Sequence, residues 1–241
     1  MTDDSAPRLY AVVPCAGIGS RSGAAGPKQY EAVAGRAVVA HTLAALAAVG
    51  RLDGVLVVLS PDDDRFETAV PAHPADWAVR SGGATRADSV AAGLQALCER
   101  GARSGDWVLV HDAARCLIQP DWVDALIDAC LDDPVGGLLA LPLADTLKQA
   151  QDGRVHATID RQGKWAAQTP QMFRLAMLAE ALAQAGPGVT DEASAVEALG
   201  HAPRLVTGHL CNVKVTWPGD FRLAEQLLPA LIRPIGGGST P

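Results

Sequence analysis

Short apolar runs alternate along this chain with stretches whose apolar residues recur at helical spacing, and this alternation most narrows the folds open to it. Leu9–Pro14, Gly54–Ser60, Trp77–Ser81, Trp107–His111 and Gly137–Leu141 read as buried strands. Between them, Val39, Leu43 and Leu46 mark a helix stopped by Gly50, and Val90, Leu94 and Leu97 mark a second. Leu126, Ile127 and Cys130 face inward from a third that begins near Asp121. Strands feeding helices in this way predict an α/β fold with a mostly parallel, doubly wound sheet. Its functional loops should gather at the carboxyl ends of the strands.

The pattern breaks between Leu143 and Trp165, where the residues are polar, show neither period and include Gly153 and Gly163. More than about 15 structureless residues would be unusual in a compact domain, so a protruding β-arm over 143–165 is expected, with a second subunit as its partner. Helices near Leu175–Ala185 and Asp191–Leu199 follow, then short strands at Arg204–Thr207 and Val213–Val215 and a last helix beyond Pro218. Residues 9–233 are expected to form a single domain between a flexible N-terminus, 1–8, and a flexible tail, 234–241.

Composition removes several classes of function. The net charge of -7 lacks the basic face that a nucleic-acid binder needs, although a few local cations can still hold one small polyphosphate. The five cysteines form no C-x-x-C pair and no even-numbered framework, which argues against zinc and disulfides. No run approaches the ~20 apolar residues of a membrane span, and Met1–Arg8 lacks the basic-then-apolar pattern of a secretory signal. A cytoplasmic protein without a membrane partner is the expectation.

The loop after the first strand, Pro14 to Tyr30, carries the most chemistry. Gly17, Gly19 and Gly23 allow successive backbone N–H groups to converge on phosphate oxygens, and Arg21 and Lys28 add two cations. A dinucleotide fingerprint fails because Ser22 stands at its third glycine and Ser60, not an acid, ends the second strand. A Walker A loop fails because Gln29 follows the lysine. A tight strand-to-helix turn with solvated charges remains open for the same residues.

In its motifs the chain resembles the 2-C-methyl-D-erythritol 4-phosphate cytidylyltransferase family. P-C-A-G-I-G-S-R at Pro14–Arg21 and P-K-Q-Y at Pro27–Tyr30 are followed, in order, by R-A-D-S at Arg86–Ser89, H-D-A-A-R at His111–Arg115 and D-T-L-K at Asp145–Lys148. Q-T-P-Q at Gln168–Gln171, T-D-E-A-S at Thr190–Ser194 and N-V-K-V-T at Asn212–Thr216 complete the set. The resemblance implies a Rossmann-like nucleotidyltransferase that moves CMP from CTP onto 2-C-methyl-D-erythritol 4-phosphate. The products would be 4-diphosphocytidyl-2-C-methyl-D-erythritol and pyrophosphate, in the non-mevalonate route to isoprenoid precursors. It also implies a Mg2+ ion and a homodimer formed through the arm.

Carried over block by block, the resemblance implies that Arg21, Lys28 and Lys214 act on the phosphates in catalysis. It puts the nucleotide against Cys15, Ala16, Gly17, Gly19, Gly83 and Ser89, and the second substrate against Asp112, Arg115, Thr146, Arg161, Thr169 and Thr190. Asp112 would also lie beside the metal. Each of these has an ordinary structural use as well: Asp112 as a turn cap, Ser89 near a helix N-terminus, Lys214 on a solvent face. His111 is assigned to packing. Ala84, Cys15 and Cys116 depart from the family's usual acidic residue, alanine and proline, and bear on local loop shape. Transfer to another polyol phosphate such as ribitol 5-phosphate, and a non-catalytic nucleotide-binding regulator, are the alternative readings.

Overall fold

The computed structural model describes residues 6–17, 26–186 and 189–232. The chain opens with β1 (Leu9–Pro14), a small β2–β3 ribbon (Ala32–Val33, Arg36–Ala37), α1 (Val38–Ala47), β4 (Gly54–Val58), α2 (Phe66–Ala69) and β5 (Ala78–Val79). It continues through α3 (Arg86–Glu99), β6 (Trp107–Val110), α4 (Pro120–Cys130), β7 (Gly136–Pro142), β8 (Leu147–Gln151) and β9 (Arg154–Ile159). The last elements are β10 (Trp165–Arg174), α5 (Leu175–Ala183), α6 (Glu192–Ala198), β11 (Arg204–Thr207) and α7 (Pro218–Ile232).

Seven strands make the central sheet in the order β11-β7-β10-β6-β1-β4-β5. All neighbours are parallel except β10, which runs antiparallel to both β6 and β7. Successive residues of a strand point to opposite faces, and both faces are covered. Ala11 and Val13 meet Leu43 and Leu46 of α1 and Leu126 and Ile127 of α4. Tyr10 and Val12 meet Val90, Leu94 and Leu97 of α3, Leu178 of α5 and Val196 of α6. Each such apolar side chain contributes roughly 1.5–3 kcal/mol relative to exposure, which is why the all-apolar runs become central strands. The mostly parallel, doubly wound α/β sheet expected from the alternation is the observed one.

Two expectations need correction, and one strand carried no signal in the sequence. The strand β10 escaped the sequence reading because Gln168, Thr169, Pro170 and Gln171 interrupt its apolar character. Its ladder is indeed irregular between Ala167 and Gln171, as a proline without an N–H requires. Val213–Val215 is not a strand; the segment is irregular and is fixed by the Val215 N–H on the Ala114 carbonyl at 2.8 Å and by the buried Val215 side chain under α7. The strand expected over Trp77–Ser81 shrinks to β5, because Ala75–Trp77 forms a turn of 3-10 helix.

Within 143–165, β8 and β9 pair as an exposed antiparallel hairpin separate from the main sheet. Asp152 and Gly153 join them with φ of 51° and 73°, the two positive values that a tight hairpin turn of right-handed strands needs and that Asp-Gly tolerates. The hairpin springs from β7 and β10, whose ends pair at Pro142 and Trp165.

Candidate active site

A cavity of about 520 Å³ opens where the chain leaves β1, β5 and β6. One wall is Cys15 to Gly17. The Cys15 N–H donates to the Val58 carbonyl at 2.8 Å, prolonging the β1–β4 ladder by one step. Buried Gln29 then donates its side-chain amide to the carbonyls of Cys15 (3.0 Å) and Gly17 (2.9 Å), fixing the start of the loop. Gly19, Gly23 and Arg21 lie outside the described residues. The Cys15 thiol is pushed up to about 12 by burial, with Asp63 adding to the shift, so it stays protonated. Lys28 lies in the wall with its ammonium donating to the Val215 carbonyl at 2.6 Å.

A second wall is the turn into α3. A Cβ on Gly82 would overlap Ala16 and the Leu59 carbonyl, and one on Gly83 would overlap Asp88, so the backbone passes where only glycine fits. Thr85 caps α3 in a reciprocal box with Asp88. The buried Ser89 hydroxyl donates to the Thr85 carbonyl (3.0 Å) and accepts from the Gly83 N–H (3.2 Å). With its hydrogen committed, Ser89 can offer a ligand only its remaining lone pair.

The third wall holds the charges. Asp112 is buried just past β6, and its Oδ1 accepts from Arg86 Nε at 2.9 Å. Its Oδ2 lies 2.9 Å from Lys214 Nζ and 3.4 Å from Arg115 Nε. Burial pushes this carboxyl up, but Arg86, Lys214 and Arg115 together hold it far below the usual carboxylate range. Asp112 is thus an anion at every working pH.

Thr169 and His111 set the position of Asp112 from behind. The Asp112 N–H donates to Thr169 Oγ1 (3.1 Å), which is 3.0 Å from His111 Nδ1, while His111 Nε2 is 3.3 Å from the Arg115 carbonyl. A carbonyl only accepts, so the proton sits on Nε2 and Nδ1 accepts from the threonine hydroxyl. Burial lowers His111 to about 4, in keeping with a neutral, packed ring. Thr169 therefore acts on Asp112; the cavity wall does not include it. Arg115 likewise is used on protein: besides Asp112, its Nη1 donates to the Asn212 carbonyl at 2.6 Å.

Thr146, Arg161 and Thr190 are exposed and lie off the cavity wall. The Arg161 guanidinium donates to the Ala144 carbonyl at the base of the arm. The sequence reading passed over Gln29, Arg86 and Glu192. All three stand inside the motif blocks P-K-Q-Y, R-A-D-S and T-D-E-A-S, whose other members carry the candidate roles. Among the described residues no group of three or more His, Cys, Asp or Glu could hold a metal. Of the described residues on the cavity wall, only Asp112 supplies an acidic oxygen, which fits a magnesium ion that arrives with a triphosphate and keeps its other ligands there. No described helix is long and apolar enough to cross a membrane.

Converging backbone at the ends of parallel strands, with Lys214, Arg86 and Arg115 set round one buried carboxylate, is the site of a nucleotide-handling transferase of the doubly wound class. Residues 9–230 match the family described as IspD: 2-C-methyl-D-erythritol 4-phosphate cytidylyltransferase, and the chain belongs to that family. A 2-C-methyl-D-erythritol 4-phosphate cytidylyltransferase of Paraburkholderia phytofirmans is 55% identical over 228 residues, which are 92% of this chain and 96% of that protein. A bifunctional IspD/IspF enzyme of Albidiferax ferrireducens is 58% identical over 225 residues; the match covers 93% of this chain but 54% of that longer protein. A crystal structure of a 4-diphosphocytidyl-2C-methyl-D-erythritol synthase superposes with a TM-score of 0.82 at 40% identity, covering 93% of this chain and 100% of that one.

Proposed function

We propose that this chain transfers CMP from CTP to 2-C-methyl-D-erythritol 4-phosphate, releasing pyrophosphate, as a cytoplasmic step towards isoprenoid precursors. The observation that carries the reading is the joint placement of Lys28 and Lys214 at one cavity. Lys28 reaches the Val215 carbonyl while Lys214, one residue earlier, reaches Asp112.

The nucleophile is a phosphate monoester whose second proton is largely gone at neutral pH, so no side-chain base is needed. One of its oxygens bonds to the α-phosphorus of CTP as the bond to the bridging oxygen breaks, and the pyrophosphate leaves with that electron pair. Negative charge grows on the non-bridging oxygens and on the leaving group, and ammonium groups held nearby offset it. Lys28 and Lys214 take this role. Arg21 is given the same task on its sequence block alone. A magnesium ion, when bound with the triphosphate, neutralises further charge, and Asp112 is the residue beside which it would lie.

For the base, Ser89 faces the ligand as an acceptor, with Gly83 and the backbone of Cys15, Ala16 and Gly17 along the same cavity. Cytosine presents an amino group where uracil presents a carbonyl, so an acceptor here favours CTP. Thr169 and Arg115 serve the second substrate through Asp112. Thr146, Arg161 and Thr190 lie off the wall of their own cavity, which supports a homodimer in which the arm carries the first two to a neighbouring site.

Pyrophosphate release from CTP should be measured with methylerythritol phosphate and ribitol 5-phosphate in parallel. Turnover with the first at least tenfold faster is expected. Faster turnover with ribitol phosphate would move the assignment to that substrate, and none with either would overturn the transferase reading.

A further inference from the structure

Arg86 lines the cavity yet is bound in a way that keeps it off any ligand. Its Nη1 and Nη2 lie 2.5 and 3.1 Å from the two oxygens of Glu192, and its Nε is 2.9 Å from Asp112 Oδ1. Two carboxylates thus fix the plane of the guanidinium in a fork that a lysine could not reproduce. Glu192 is itself buried, at the first turn of α6. That turn is tied to β10: Gln171 donates to the Asp191 carboxylate at 2.8 Å and accepts from the Ala193 N–H at 2.8 Å. A pairing that merely stapled α3 to α6 would have no use for the third bond, to the carboxylate that Lys214 also holds.

We propose that Glu192 and Arg86 are a positioning pair, which keeps Asp112 compensated by protein so that Lys214 can leave it for the phosphates. Asp112 and Glu192 carry two negative charges and touch three cations, Arg86, Arg115 and Lys214. When Lys214 departs, two guanidiniums still match two carboxylates, and no buried charge is stranded. Lys214 is the cation free to move: its side chain is 39% exposed, against 28% for Arg86 and 11% for Arg115. Without Arg86, Asp112 would keep only the looser Arg115 contact and would hold Lys214 back; without Glu192, Arg86 would lose the oxygens that fix its plane.

This inference rests on the transferase reading, and the test separates the two. Pyrophosphate release is measured for Glu192→Gln and Arg86→Lys, alone and combined with Asp112→Asn, with a thermal melt for each. Each single variant should lower kcat about ten- to a hundredfold, the size of a lost charged hydrogen bond, and leave the KM for CTP within about threefold. In the Asp112→Asn background the same substitutions should change kcat less than about threefold, because their route to Lys214 is already cut.

Full effects persisting in that background would mean that Arg86 touches phosphate itself. A lowered Tm with unchanged kcat would leave only a staple. Either result overturns the pair. A second readout is independent of turnover: labelling of Lys214 by an acylating reagent, followed by peptide mass, should slow severalfold in Arg86→Lys, which loses the guanidinium bond to Asp112, and unchanged labelling there rejects the proposal. Should Arg86→Lys fail to fold, Arg86→Gln, which removes the charge beside Asp112, carries both measurements. Wild-type protein inactive with either alcohol phosphate would instead sink the transferase reading, and the labelling result would still judge the pair.

Discussion

Lys28 and Ser89 show how much of a residue's role depends on what its atoms are already doing. The Lys28 ammonium donates to the Val215 carbonyl. Its charge counts most as the transition state forms, so Lys28→Ala should lower kcat by about 10²–10³, roughly 3–4 kcal/mol, with a much smaller change in CTP affinity. Single-turnover rates and CTP binding, measured separately, check this; an unaltered kcat removes Lys28 from the mechanism. Ser89→Ala removes both the acceptor and the peg that holds Gly83. The KM for CTP should rise, and the preference for CTP over UTP should fall by about tenfold or more. Selectivity that survives the substitution would put base recognition wholly on the backbone.

At the scale of elements, what the sequence made legible follows the strength of its periodicity. The strands β1, β4 and β6 and the helices α3 and α4 could be read because burial on both faces or on one stripe leaves a continuous or 3.6-period signal. The strand β10 could not: its buried Gln168 and Gln171 earn their places through hydrogen bonds, to the His209 carbonyl and to Asp191, that no local pattern announces. The same blindness hid Glu192 and Arg86, partners 106 positions apart. Lys214 was legible as a candidate site residue, and it does line the cavity, but its irregular segment was not, since Val213 and Val215 mimic strand alternation.

The arm, visible as a failure of pattern, carries its own test. Arg21→Ala and Arg161→Ala proteins are unfolded, mixed in equal amounts and refolded. If Arg161 completes a neighbour's site, about half the dimers are mixed, each with one intact site, and roughly a quarter of all sites recover. No recovery, with subunit exchange verified by mass-tagged chains, would reject the shared site and leave the transferase assignment in place.

For the molecule as a whole, acid should act first through buried histidine. His111 is fully buried and titrates at about 4, lowered mainly by burial, while in the unfolded chain it titrates near 6.5. Between those values the unfolded state holds a proton that the folded state refuses, so stability is complete above about pH 6.5 and falls as pH drops towards 4. The loss over the window is about 3 kcal/mol. His41 and His73, also lowered by burial, act in the same sense, whereas Glu192, raised by burial against the pull of Arg86, opposes them. Urea melts at pH 7 and pH 5 should therefore show a smaller difference for His111→Asn than for the unaltered protein. An equal difference would mean that His111 is not the group that titrates.

The antiparallel strand inside the sheet carries residues of two distant parts of the molecule. Trp165, at its start, is a foot of the arm; four residues on, Thr169 takes the Asp112 N–H, and Gln171 grips the turn that presents Glu192. The strand is bonded to β7 at Trp165–Ala167 and to both β6 and β7 at Gln171–Phe173, and the ladder is interrupted between them, where Thr169 stands. The foot of the arm and the group that holds the Asp112 N–H are thus four residues apart on one strand, so the shape of the unladdered stretch between Ala167 and Gln171 sets how the arm stands over the charge cluster.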